Sequence, residues 1–554
     1  MNRARLLLYA RTLPNLRPLQ VIHRLTRGLR PLVVDRAPPP PLRDLRASSG
    51  RPLPKRQSML GDHAFTLLNL TRRVAEPGDW NDPGADLLWL YNLHYFDDLA
   101  AASAARRLDA QSALIARWLR DNPLGRGVGW RPYPLSLRIV NWIKWHLLHG
   151  RLTSEAVASL SLQGRALARR LEYDAQGNHL LANAKALVFL GIFFAGPEAE
   201  GWLARGLRLL AAELPEQILA DGGHYERSPM YQAILIEDLL DMLWLAARAP
   251  DALRDRLPAA VWRATAAAML AWLGTMTHPD GRIALFNDAA FGVAPTFEEL
   301  AGYARTLGVA TPAARLANGV YVLPETGYLR LQLDEATVLF DAAPLGPRHG
   351  MGHAHADTLS FEMSLNGGRL FVNGGTSGYA AGPRRDRERG TAAHNTVVVD
   401  DRDSSEVWDS FRVARFARPL DLRWREDRDG LTASAAHDGF RRQFGGPLHR
   451  RTICLSDGRL AIEDRLIGGT WRTARAHFHA SPATELTQDP GQNGGFAVLH
   501  GTKLLWQITG AEARIADGFH HPEFNCELPQ KSIAADFIAA DVRFAAAWGA
   551  GHNR

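Results

Sequence analysis

From Phe65 to about Leu316, apolar side chains recur at i, i+3 and i+4, the period of a helix with one buried face. The pattern predicts helices at Leu87–Ala105, Leu108–Arg120, Ser136–Leu148, Thr153–Leu171 and Ala182–Phe194. Trp202–Leu214, Pro229–Ala247, Leu257–Met276 and Phe297–Leu307 continue the series, with Gly, Pro and Asn in the loops between. Repeated helix pairs predict an (α/α) array, closed as a toroid or open as a solenoid. No fixed sequence repeat is visible, which argues against a regular solenoid. Past Tyr321 the period falls to two. Strands are predicted at Gly327–Leu333, Ala336–Asp341, Leu359–Leu365, Arg369–Val372, Thr396–Asp400 and Leu431–Ala436. Arg451–Leu455, Arg459–Leu466, Ala474–His479, Phe496–His500 and Lys503–Thr509 keep the same rhythm. The expected fold class is multidomain α+β: an N-terminal (α/α) toroid of helix pairs followed by a C-terminal antiparallel β-sandwich. The expected division is a basic arm at 1–57, the toroid at 58–320 and the sandwich at 321–554.

One stretch stands out for its chemistry, His349 to Tyr379. His353 and His355 lie two apart, followed by Asp357 and a strand pattern, with Gly-rich turns at Gly367-Gly368 and Gly374-Gly375. In an extended chain, i and i+2 address one face, so the two imidazoles can share a task. Acid/base work, metal binding and a hydrogen-bonded structural cluster all remain open to such a pair. In the helical half, Gly129 to Trp142 combines Trp130, Tyr133, Arg138 and Trp142. That mix suits sugar rings bearing carboxylates, or else an aromatic cluster buried between helices. Gly177-Asn178-His179 opens a helix, with Asn183 and Lys185 behind it. About fifty residues later, Asp221 to Gln232 places Tyr225, Glu226, Arg227 and Tyr231 at a glycine-led turn before another helix. Helix N-termini favour anions, and a tyrosine of lowered pKa can serve as a base if cations stabilise its phenolate. Either tyrosine can equally be a packing residue. Arg384, Arg385, Arg387 and Arg389 form a basic run that reads as a substrate-gripping lid or a solvated charge cluster. His520 and His521 in a late loop are not expected to hold a metal.

Composition narrows the class. At 554 residues, 46% hydrophobic and 22% charged, the chain is long enough for two large domains and is globular, neither disordered nor membrane-embedded. Its formal charge of +7 draws polyanions, whether nucleic acid, acidic polysaccharide or an anionic membrane surface, without choosing among them. Two cysteines, Cys454 and Cys526, exclude a disulfide framework and a Cys-based zinc site. Leu6 to Ala10 is too short for a signal-peptide core and is followed by Arg11. The expected location is therefore cytosolic by default, with a periplasmic one open to an export route not visible in the chain. No run is long enough to span a bilayer. Residues Arg3 to Arg30 read as a basic amphipathic segment resting on the body in preference to a membrane.

Five motifs in one order, GNHLLANAKA, DGGHYERSPMY, HAHADTLSF, GGTSGY and AHNTVVVD, resemble the heparinase II/III-like polysaccharide lyases over about residues 60 to 540. YNLHYFDDL and GWRPYPLSLRIVNW are similar to members associated with bacterial exopolysaccharide clusters. The resemblance implies cleavage of a uronate-containing glycan by β-elimination, so that the partner is an acidic polysaccharide and not nucleic acid. It implies that Asn178 and His179 neutralise the uronate carboxylate and that Tyr231 is the base, with Tyr225 in reserve. His353 would be the partner histidine, and Tyr379 a second tyrosine acid; Trp130, Tyr133, Arg138, Tyr225, Glu226 and Arg227 would border the substrate. No cofactor is required. Where relatives hold a structural zinc this chain has His355, Asn373 and His394, and an asparagine is a poorer zinc ligand than a carboxylate. A weakened or absent zinc and a hydrogen-bonded cluster in its place are expected. Two other readings stand beside the lyase: a glycoside hydrolase using Asp221 and Glu226, and a non-catalytic glycan-binding factor in exopolysaccharide production.

Overall fold

The computed structural model describes residues 3–27, 32–48, 50–61, 63–313 and 315–549. Two short helices, α1 (Arg3–Thr12) and α2 (Pro18–Arg27), come first. The helical body comprises α3 (Leu87–Tyr95), α4 (Leu108–Asp121), α5 (Pro132–His149), α6 (Ser154–Arg169), α7 (Gly177–Phe193) and α8 (Pro197–Gln217). It is completed by α9 (Pro229–Ala246), α10 (Asp251–Arg254), α11 (Ala259–Thr275) and α12 (Phe297–Thr306). Local chemistry sets many of these ends. Asp86 caps α3 by accepting from the Leu88 and Trp89 amides, Ser228 caps α9, and Thr296 with Glu299 forms a reciprocal box at α12. The expected single helix Leu87–Ala105 ends ten residues early. Phe96 adopts a left-handed conformation (φ 62°), and short 3₁₀ turns follow.

Contacts between helices skip one element at a time. α3 packs on α5, α5 on α7, α7 on α9 and α9 on α11, while α6 and α8 back that row. This is the arrangement of helix pairs that an (α/α) array requires. The inner helices are accordingly buried on all sides and largely apolar: in α7 every residue from Leu180 to Phe193 is buried, including Leu187, Phe189 and Ile192. Ahead of α3, Ala64–Leu67 and Leu70–Arg73 form a hairpin, where the helical pattern had been expected to begin. Thr66 and Thr71 face each other across it, and four residues per strand are too few for a period to show.

From Gly319 onwards the chain is built of antiparallel strands in three larger sheets of eight, five and four strands. Burial alternates residue by residue along Leu448–Ser456, the signature of one face packed on a core. The hairpin expected after the histidine pair is present as Phe361–Leu365 with Gly368–Phe371. The histidines themselves are not on a strand. His353 closes a 3₁₀ turn, Met351–His353, and His355 lies in the loop beyond it.

The arm packs on both halves. Asn15 donates to the Ala414 carbonyl (3.2 Å), Gln20 to the His349 carbonyl (3.0 Å), and Arg11 pairs with Glu406 (2.8 Å). Further along, the amides of Arg43, Arg46 and Lys55 donate to carbonyls of Phe193, Arg248 and Ala100.

Candidate active site

The two halves meet through buried polar side chains. Asp221 accepts from the Glu325 and Thr326 amides and from the Thr326 hydroxyl, all within 3.0 Å. Arg227, held at φ 58°, donates to the carbonyls of Thr326 and Tyr225. Asn287 ties the Arg227 carbonyl to the amide of His355. These bonds fix the first turn of α9 against the loop that bears the histidines.

Tyr231 occupies that first turn, where its amide donates to the Ser228 hydroxyl (3.3 Å). Its ring lies 4.1 Å from the ring of His353 between centroids, and its hydroxyl is 2.9 Å from the hydroxyl of Tyr379. Phe411 packs edge-on against both His353 and Tyr379, closing the far side of the group. Burial pushes both phenols well above their ordinary range, reinforced by each other at Tyr231 and by the nearby Asp288 carboxylate at Tyr379. The lowered pKa expected of a tyrosine base is therefore not present in the free protein: a phenolate here would face low dielectric and an existing negative charge.

Asp288 organises this centre, and sequence reasoning missed it. Its carboxylate accepts from His353 Nδ1 (2.9 Å), His355 Nε2 (2.8 Å) and both terminal nitrogens of Arg385 (2.5 and 2.7 Å). Burial alone would raise Asp288, but Arg385 and the two imidazoles hold it well below the usual carboxylate range. With Nδ1–H donating to Asp288, His353 is left with Nε2 as a proton acceptor. Arg385 also lies over the Tyr379 ring, 5.2 Å from its centroid. The basic run is thus solvated only in part. It forms α13 (Pro383–Arg389), which buries Arg385 and Arg389 and leaves Arg384 and Arg387 outside. The only advance signal for Asp288 is the polar pair Asn287-Asp288 in the otherwise apolar run Ala284 to Phe291.

A second set of groups stands at the N-terminus of α7. Asn178 is buried and His179 half-buried; His179 Nδ1 lies 3.2 Å from Glu172, and its ring 4.3 Å from that of Tyr133. Burial disfavours the imidazolium, yet the Glu172 carboxylate outweighs it and raises His179 above its ordinary value. Glu226 joins the two sets. Burial raises its carboxyl, offset in part by the charges of His353 and His179 and by the Asn178 amide. Gly177 makes the approach possible: at φ 52° it adopts a left-handed conformation, and a Cβ there would collide with the Glu226 carboxylate. Asn178, His179, Glu226, Tyr231, His353 and Tyr379 therefore converge, with Tyr133 beside them.

Other expected site residues fall elsewhere. Trp130 is buried against Trp118 at 5.9 Å and donates to the Asn122 carbonyl. Arg138 is fully buried, stacked 3.9 Å over Trp118 and donating to Gln163 (3.0 Å). Both belong to the aromatic core of the helices, so neither borders a substrate. Arg227 is likewise spent on the junction between the halves. Tyr225, by contrast, is buried against His224 and His349 with its hydroxyl beside Gly177 at the head of α7. Asn183 bonds Glu172 and Ser136, and Lys185 pairs with Asp238 and Asp241, all inside the helical core. His520 and His521 bond backbone carbonyls of Asn373 and Cys526.

The residues at the zinc position do not fit zinc. Asn373 Oδ1 accepts from Ser360 (2.7 Å) and lies 3.2 Å from His394 Nδ1, while His355 turns its Nε2 to Asp288. The atoms left without a hydrogen-bond partner are His355 Nδ1, His394 Nε2 and Asn373 Nδ2: two lone pairs and an amide donor, with no anion. The expected mutual bonding of all three is present only between His394 and Asn373. Among the described residues no three His, Cys, Asp or Glu side chains are grouped to hold a metal ion.

Comparison with known proteins places this geometry. Residues 317–546 match the family described as "Heparinase II/III-like, C-terminal", and residues 94–305 match "Heparinase II/III N-terminus". FtsZ-localized protein C of Caulobacter vibrioides is 28% identical over 440 residues, covering 73% of this chain and 69% of that protein. A heparin-sulfate lyase of Bacteroides stercoris is 27% identical over 257 residues, 42% of this chain and 37% of the relative. Among solved structures, heparinase III superposes with a TM-score of 0.69 at 18% identity, covering 85% of this chain and 78% of that one. A heparan sulfate lyase from Pedobacter heparinus gives 0.60 at 18% identity, covering 89% and 82%. The likeness in fold covers an (α/α) toroid followed by a β-sandwich. With both halves matched in the same order, the chain belongs to the heparinase II/III-like family.

Proposed function

We propose that the protein is a polysaccharide lyase that cleaves a uronate-containing anionic glycan, a glycosaminoglycan or a bacterial exopolysaccharide, by β-elimination. The observation that carries this reading is the hydroxyl pair of Tyr231 and Tyr379 beside the Asp288-anchored His353. Elimination removes H5, α to the uronate carboxylate, and expels O4. The H5 proton becomes accessible only when that carboxylate is neutralised as enolate character develops. His179, whose charged form Glu172 favours, and the Asn178 amide at the head of α7 are suited to that task. The carboxyl of Glu226, raised by burial, adds no competing charge where it is protonated.

Both phenols are protonated at rest, so Tyr231 must lose its proton before it takes H5. His353 Nε2 is the sink, and Asp288 stabilises the imidazolium that results. The Tyr231 phenolate then removes H5, the C5 electron pair forms the C4–C5 double bond, and the C4–O4 bond breaks. O4 leaves with the proton of Tyr379, which the imidazolium replaces. Protons balance, and no metal enters.

A hydrolase would need two carboxylic acids free to act. Asp221 is committed to Glu325 and Thr326, so the Asp221–Glu226 pair is not available. The test is the ultraviolet absorbance of the conjugated unsaturated uronide during digestion of heparan sulfate and of acidic bacterial polysaccharides. Tyr231→Phe is expected to lower kcat by about 10²–10⁴-fold with KM little changed. New reducing ends without absorbance would refute elimination, and near-normal turnover by Tyr231→Phe would move the base elsewhere.

A further inference from the structure

The first two helices are inside out. Polar residues of α1, α2 and the turn between them face the body: Thr12 accepts from the Trp408 indole, Asn15 donates to Ala414, and Gln20 donates to His349. The large apolar residues face solvent. Leu6, Leu7 and Leu13 are 49%, 48% and 54% exposed, and Leu19, Ile22 and Leu25 are 46%, 56% and 71% exposed. Within α1, Arg3, Leu6, Leu7 and Ala10 share one face; within α2, Leu19, Ile22 and Leu25 do. Each of two consecutive helices thus carries an apolar row that the body does not cover, which calls for a partner.

Charge identifies the partner. The sequence has no Asp or Glu before Asp35, while arginine recurs along the same segment, among others as Arg3, Arg5, Arg11, Arg17 and Arg24. Arg11 and Arg17 are paired inward with Glu406 and Glu216. Arg3 and Arg24 are exposed around the apolar row, and Arg5, 3.7 Å from Asp409, keeps 57% of its side chain exposed there. A second copy of this face would set arginine against arginine, which opposes self-association. Among the described residues no helix is long and apolar enough to cross a membrane. We infer that α1 and α2 dock the protein in the plane of an anionic bilayer, with the leucines and Ile22 at the headgroup boundary and the arginines on lipid phosphates. Gln20 and His23 meanwhile rest on His349 and Tyr173, neighbours of the candidate site, so docking would hold the site beside the membrane.

The test is co-sedimentation of the full chain with vesicles of phosphatidylcholine containing phosphatidylglycerol and with vesicles of phosphatidylcholine alone. Wild type is expected to sediment with the anionic vesicles and to be released by salt. The triple variant L19E/I22E/L25E and the triple variant R3E/R5E/R24E should each bind at least about tenfold more weakly. All six positions are exposed, and an unchanged melting curve would show that each variant folds. Wild type remaining in the supernatant would overturn the inference, as would triple variants that sediment like wild type. Equal binding to neutral vesicles would overturn the role of charge. A wild-type dimer in lipid-free buffer that L19E/I22E/L25E converts to monomer would assign the face to a second copy instead.

Discussion

Asp288 shows what a residue-level reading of sequence reaches and what it does not. Tyr231, Tyr379, His353, Asn178 and His179 stood out because each sits in a short string with its own polar context, and they do converge. Asp288 lies 65 residues from His353 and 97 from Arg385, so nothing local joins them. Trp130 and Arg138 were misplaced for a related reason: an aromatic beside a guanidinium suits a sugar platform or a core, and composition does not report burial. Asp288→Asn should be costly. It leaves Arg385 buried without its counter-charge, a loss of about 3–5 kcal/mol, measurable by denaturant titration. Because Asp288 is depressed, its contribution is complete above pH about 4 and is lost as pH falls through its folded value, so Asp288→Asn should flatten the acid limb of the stability profile. An unchanged acid limb would show that the pair adds nothing. His179 behaves in the opposite sense. Raised by Glu172, its charge is present below 6.5 and is lost as pH climbs through the raised value, so KM for an acidic glycan should rise on the alkaline side. His179→Gln should abolish that rise; its persistence would assign the titration elsewhere.

At the scale of elements, period made the long helices and the half-buried strands readable. The shorter features were set by single backbone choices: Phe96 in a left-handed turn ended α3, and Met351–His353 formed a 3₁₀ turn where an extended chain was expected. The strand hairpin that follows is nevertheless in place, since Phe361, Met363 and Leu365 must all be buried. The same sheet bears on the metal question. Asn373 is held by Ser360 and His394, and His355 by Asp288, so the cluster closes through its own hydrogen bonds and one ionic network. Burial lowers His355 to about 4 and His394 well below its ordinary value, which keeps both neutral at physiological pH. Two neutral imidazoles and an amide offer zinc no compensating charge. Elemental analysis of purified protein should therefore find zinc well below one equivalent per chain, and exhaustive EDTA treatment should leave the melting temperature unchanged. A full equivalent, or a clear loss of stability on chelation, would contradict this.

For the molecule as a whole, the site depends on how the two halves are tied, and the tie is polar. Glu362, on the sandwich strand Phe361–Leu365, is fully buried and accepts from His278 Nε2 (3.0 Å), the Leu285 amide (3.2 Å) and the Asn373 amide (2.9 Å). His278 and Leu285 belong to the loop after α11; Asn373 belongs to the sandwich. Burial would raise Glu362, but His278 and Arg369 pull it below its ordinary value, so it is a buried anion shared between the halves. Glu362→Ala leaves donors from both sides unpaired in a dry interface, at a cost of about 3–5 kcal/mol. If the halves form one cooperative unit, that loss must appear in the unfolding of both. Differential scanning calorimetry should show a single transition for wild type and a single, lowered transition for Glu362→Ala, followed through helical and strand signals alike. A variant in which the helical signal melts at its wild-type temperature while the sandwich melts early would mean that the halves fold independently. The convergence of Tyr231 with His353 would then rest on the local bonds of Asp221, Arg227, Asn287 and Asp288.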